Sequence, residues 1–185
     1  MNPFPVIDGL GEVELQATRL DGESYLLAEA TIPIGVPARP ATRAVAALGT
    51  RHPRLIAARG TAAWIWGAAR GLPPRGEYLV DVEARWRPAA DAGIEVVESV
   101  VRAGDVATVG GLSVTSPLRT AIDLARFRPT LEASDAETLR SLARIGGFGA
   151  ADAVAAMDRG RNLSGKRSAA SRLRAALAGQ PELTR

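Results

Sequence analysis

The apolar residues of this chain change their period at Ser116-Pro117, and that switch limits the folds open to it. Before it, residues 78–84, 94–101, 105–109 and 112–115 read as strands, with Gly110-Gly111 as a tight turn between the last two. After it the spacing is helical. Ser116 is suited to capping, Pro117 to the first helical position, and Ala121, Ile122, Leu124 and Ala125 form one apolar side. Further helices are expected over 131–144, 150–157 and 166–177, punctuated by Gly146-Gly147 and Gly160. The fold class that follows is α/β or α+β. Its sheet is mixed and antiparallel-leaning, helices flank it, and the C-terminal third is helical.

Upstream of the sheet, residues 13–18 alternate apolar and polar, Asp21-Gly22 offers a hairpin turn, and residues 24–28 resume the alternation. Residues 32–37 are a Pro-rich connector. Pro40 opens a helix reaching to about residue 48, and residues 55–58 are a short apolar run. Thr61 is the expected N-cap of a helix over 62–69. The domain reading is a small β unit over 1–37, an α/β domain over 38–178 and a tail over 179–185.

Composition removes several classes of function. The 185 residues suit one or two domains. The absence of cysteine rules out disulfides and thiolate metal sites, and His52 is the sole histidine. No metal or cofactor is therefore expected. No apolar run is long enough to span a bilayer, and residues 1–5 lack the features of a secretory leader, so a cytoplasmic protein without membrane partners is expected.

The net charge of +3 hides a segregation. Residues 39–76 hold Arg39, Arg43, Arg51, Arg54, Arg59, Arg70 and Arg75 without one Asp or Glu. Residues 159–185 hold Arg159, Arg161, Lys166, Arg167, Arg172, Arg174 and Arg185 against Glu182 alone. Positive charge gathered in this way suits a polyanion or an acidic partner. Arg39, Arg43, Arg51, Arg54, Arg59, Arg119, Arg161, Lys166, Arg167 and Arg174 are the candidate contacts.

Four segments in order carry a family resemblance: residues 55–67, the isolated strand 93–96, residues 105–126, and the Arg-rich last helix with Gly165-Lys166-Arg167-Ser168-Ala169-Ala170. Together, over roughly residues 40–178, they resemble the C-terminal domain of actinobacterial AbiEi-type antitoxins. The 105–126 segment is the most specific. The resemblance implies a winged helix-turn-helix that binds an operator, followed by a mixed α/β domain that neutralises a nucleotidyltransferase-like toxin without catalysis. Here the hairpin around Asp21-Gly22 resembles only the wing, so the helix that would read DNA is expected to be missing. The expected partners are a cognate toxin and, as a second candidate, DNA, with a stand-alone DNA-binding regulator as the alternative.

Other motifs have local explanations beside functional ones. Arg119 faces either a partner or Asp123, four residues on. Trp64 and Trp66 point to opposite sides of a helix, so at least one packs into the core. Asp81 and Glu83, with Glu77 nearby, fit either a solvated strand face or a metal-dependent nuclease. Asp91, Glu95 and Glu98 read as a solvated face too. His52 is expected at the surface, and no nucleophile elbow, phosphate-binding loop or dinucleotide fingerprint occurs.

Overall fold

The computed structural model describes residues 6–49, 51–84, 86, 93–159 and 164–178. The chain begins with α1 (Glu12–Leu20) and the hairpin β1 (Ser24–Leu27) and β2 (Ala30–Pro33). Next come α2 (Pro40–Leu48), β3 (Ile56–Ala57), α3 (Arg59–Ile65) and β4 (Gly76–Asp81). After β5 (Ile94–Ser99), β6 (Val106–Val109) and β7 (Leu112–Thr115), the helices α4 (Pro117–Phe127), α5 (Ala133–Gly146), α6 (Ala150–Asp158) and α7 (Lys166–Leu177) complete the fold. This is an α+β architecture with a helical C-terminal part, as the period switch requires.

The larger sheet has the order β5-β4-β3-β7-β6. Pairing is parallel for β4 with β5 and β3 with β7, and antiparallel for β3 with β4 and β6 with β7. Gly110 and Gly111, with φ of 59° and 77°, supply the double left-handed turn between β6 and β7 that other residues strain to adopt. Two apolar cores result. One joins the sheet to α2 and α3 through Ala44, Leu48, Ala57, Ile65, Val80 and Val114. The other lies among α4 to α7 around Leu124, Leu139, Leu142, Met157 and Leu173, and Ala63 of α3 enters it. Helix α3 thus bridges the two.

Three local expectations are corrected. Residues 13–18 are helical, not a strand, because Glu14 closes the first turn onto the Gly11 amide at 2.8 Å and acids near a helix start are favourable. Asp21 and Gly22 then terminate α1, their amides returning to the carbonyls of Ala17 and Arg19. The hairpin turns instead at Ala28-Glu29, with Leu27 opposite Ala30, and Ile32 and Pro33 belong to its second strand. A helix therefore stands directly before the hairpin, where none was expected. The strand expected over 78–84 runs from 76 to 81 and ends in a 3-10 turn, Val82–Ala84. Finally, α3 starts before Thr61, whose hydroxyl accepts the Glu77 amide at 2.8 Å and ties α3 to β4.

Candidate functional site

Strands β4 and β5 place Glu77 beside Glu95 in register, so both carboxylates leave the same face of the sheet. Arg59, the first residue of α3, meets them: its Nη1 lies 2.9 Å from Glu95 and 3.7 Å from Glu77. Glu77 also accepts the Gly60 amide. The Phe127 ring at the end of α4 lies under two cations, its centroid 5.9 Å from the Arg59 guanidinium carbon and 4.8 Å from that of Arg126.

Arg59 is costly to keep. Its φ is 45°, a left-handed backbone that costs an L-residue about 1–2 kcal/mol. The residue is 9% exposed, and its Nη2 has no hydrogen-bond partner among the described residues. An unsatisfied buried donor costs about 1–3 kcal/mol more. Strain at a non-glycine residue, held by its surroundings, points to a functional position.

Arg119 on α4 is the second centre. Its Nε donates to Asp123 at 2.8 Å, Nη1 to Asp105 at 2.7 Å and to the Val100 carbonyl at 3.3 Å, and Nη2 to the Ser99 hydroxyl at 2.7 Å. Asp123 also accepts from Arg126 at 3.2 Å. These bonds fasten α4 to the end of β5 and to the loop before β6. Burial pushes the Asp123 carboxyl above its ordinary range, while Arg119 and then Arg126 pull the other way. For Arg119, burial alone would lower the pKa, but Asp123 and Asp105 outweigh it and raise the value.

The two centres share a cleft of about 430 Å³. Arg59, Arg102, Arg119, Arg126 and Arg159 line it, against Glu98, Asp105 and Asp123. Leu79, Val97, Leu118, Ile122 and Met157 form its apolar wall. The volume lies within the range of small-molecule sites.

The other expected contacts that are described do not line this cleft. Arg43 turns inward, donating to the carbonyls of Ala38 at 3.0 Å and Trp64 at 2.9 Å and covering the Trp64 ring at 5.2 Å. Arg51 pairs with Glu29 at 3.6 Å, and Lys166 with Asp158 at 2.8 Å. Arg54 is exposed in the loop after α2. Arg39, Arg167 and Arg174 are exposed and make no ion pair with a described residue. Arg161, Asp91 and residues 179–185 lie outside the described residues.

Trp64 is buried, and Trp66 bonds the Thr115 carbonyl at 2.8 Å, so both serve packing. His52 stacks on Trp86 with centroids 4.6 Å apart. Asp81 accepts the Glu83 amide within a turn, so the two acids do not share a strand face. Among the described residues no three His, Asp or Glu side chains converge as metal ligands. None of the helices described is long and apolar enough to cross a membrane.

Sequence reading missed Arg102, Arg126 and Phe127 as members of the cleft, and marked Arg159 only as part of a basic stretch. The spacing Arg119, Asp123, Arg126 on one helix face was the available clue, since residues three and four apart are neighbours there. No protein-family model matches the chain, and no curated protein matches it.

Proposed function

We propose that this chain is a non-catalytic regulator of the antitoxin type that binds a protein partner, a nucleotidyltransferase-like toxin, chiefly through its N-terminal unit. The observation that supports this most directly is the outer face of α1. None of its nine residues is buried, and Val13 is 82% and Leu20 80% exposed. Val13, Ala17 and Leu20 follow i, i+4, i+7 spacing and share a face. So short a helix is marginal in water without packing on its apolar side. Leu26 of the adjoining hairpin and Ile34, just after it, are exposed as well. Apolar surface of this kind favours a protein partner.

Charge argues for protein over DNA at this unit. Glu12, Glu14, Asp21 and Glu23 surround α1, with Arg19 drawn into bonds to Glu12 and Thr31. A helix set before a hairpin in this way has the order of a winged helix, but its acids repel phosphates. Co-purification with the product of an adjacent nucleotidyltransferase-like gene tests the reading. Binding and neutralisation should be lost in Val13→Glu/Leu20→Glu and kept in Arg167→Glu/Arg174→Glu. No binding to any such protein, or binding untouched by the α1 change, would overturn it.

A second reading, a stand-alone DNA-binding regulator, draws support from Arg167 and Arg174. They lie seven residues apart on one face of α7, exposed and without an ion pair to any described residue. Duplex affinity should then fall with salt, and replacing either arginine should reduce the salt slope by about one. A flat salt response would end that reading.

A further inference from the structure

We propose that the cleft lined by the start of α3, the middle of β4, the end of β5, α4 and the end of α6 is a binding site for a small anion, a phosphate or carboxylate carried on an apolar body. This site is independent of the α1 surface and of the exposed arginines of α7. Three separate observations carry it.

First, Arg59 Nη2 is a buried guanidinium donor without a partner among the described residues, on a residue that lines the cleft. Buried donors are almost always satisfied, so a group that goes unmatched in the free protein fits one that is matched when a ligand is present. The rest of the guanidinium is already fixed by Glu95, Glu77 and the Phe127 ring, so the free donor is held in place before any ligand arrives.

Second, Arg59 holds a left-handed backbone with φ of 45°, although Gly60, which adopts such a conformation without strain, is the next residue. Packing alone would be served as well by an unbranched apolar residue. Satisfying Glu77 and Glu95 requires a cation, but not one with a spare donor.

Third, the charge around the cavity is uneven. Asp105 and Asp123 are engaged by Arg119 and Arg126, and with Glu98 they are the three carboxylates of a lining that holds five arginines. Arg102 and Arg159, exposed at the rim, make no ion pair with a described residue. The apolar lining residues Leu118, Ile122 and Met157 offer nothing to a bare ion, and suit an apolar or aromatic body attached to the anionic group. An anion can thus draw on Arg59 within and two cations at the mouth, while its body meets the apolar side.

Phenyl phosphate, benzoate, inorganic phosphate and uncharged benzyl alcohol, titrated calorimetrically into the full chain, test the site. Phenyl phosphate or benzoate should bind saturably and more tightly than inorganic phosphate, and benzyl alcohol should not bind. Which of the two binds better identifies the anionic group. Arg59→Met should weaken binding about tenfold to a hundredfold, the effect of losing a charged hydrogen bond. Arg102→Gln/Arg159→Gln, altered only at exposed positions, should fold normally and weaken it several-fold, so the test survives even if Arg59→Met does not fold. Amide shift changes on adding phenyl phosphate should cluster at residues 58–60, 97–105 and 116–127. Absence of saturable binding by both phenyl phosphate and benzoate would overturn the proposal. So would binding indifferent to the Arg102→Gln/Arg159→Gln pair, or shifts confined to another surface.

Discussion

Arg119 and Asp123 stand four residues apart on α4 with Nε 2.8 Å from Oδ2, and Asp123 is only 3% exposed. A pair of this spacing on an open helix is worth a few tenths of a kcal/mol. Here the same two residues line the cleft, and removing Arg119 leaves Asp123 with Arg126, at 3.2 Å, as its remaining charged partner. Arg119→Ala should therefore cost about 1–3 kcal/mol, the cost of a buried group left short of a partner, and less than the roughly 3–5 kcal/mol of a buried charge left wholly unpaired. Urea unfolding measures it. The double change Arg119→Ala/Asp123→Ala should cost less than the sum of the singles, and strict additivity would show that the two do not act together.

Trp66→Phe keeps a smaller aromatic ring at the site and removes the indole donor to the Thr115 carbonyl. That carbonyl retains a second partner, the Thr120 hydroxyl at 3.1 Å, so it is not left bare. The expected loss is about 1 kcal/mol, the net worth of one hydrogen bond, rather than the larger cost of an orphaned buried group. A loss above roughly 3 kcal/mol would mean that the Thr115–Thr120 pair collapses with it.

The elements most legible in the sequence are those fixed by near neighbours. Ser116 and Pro117 announced α4 because a cap and a pre-set φ act within one turn, and Gly110-Gly111 announced its hairpin for the same reason. Residues 13–18 were misread because Val-Glu-Leu-Gln-Ala alternates as a strand would, and only the Glu14 bond to the Gly11 amide decides for a helix. The arginines were least legible. Counting charge along the chain shows neither Glu95, which reaches Arg59 from 36 residues away, nor the carbonyls that absorb Arg43. Within the run that lacks acids, Arg59 is met by acids of β4 and β5 and Arg51 by Glu29 of the hairpin turn, while Arg39 makes no ion pair with a described residue.

The basic residues of α7 divide sharply in this way. Arg172 donates to the carbonyls of Ala125 at 2.9 Å, Arg128 at 2.6 Å and Pro129 at 2.6 Å, so it closes the C-terminal end of α4, where a cation also suits the helix dipole. Arg172→Met should destabilise by about 2 kcal/mol. Arg167→Glu and Arg174→Glu, on the exposed face, should each change stability by less than about 0.5 kcal/mol. Equal effects at the three positions in thermal unfolding would contradict this division.

Tyr78 gives the fold a limit on the alkaline side. It lies buried in β4 with its hydroxyl donating to the Ala47 carbonyl at 3.1 Å, and burial raises its pKa, with Arg51 opposing and Glu29 adding to the rise. An unfolded chain releases a tyrosine proton near pH 10, so below that both states hold it and the stabilisation is fully present. Above it the unfolded state has lost the proton and the folded state has not. Stability must then fall as pH rises through the folded value. Guanidinium midpoints between about pH 9 and 11 should decline in the parent chain and decline less steeply in Tyr78→Phe. At neutral pH the same variant should be weaker by about 1 kcal/mol for the missing hydrogen bond. Parallel declines in the two proteins would assign the alkaline sensitivity to another group.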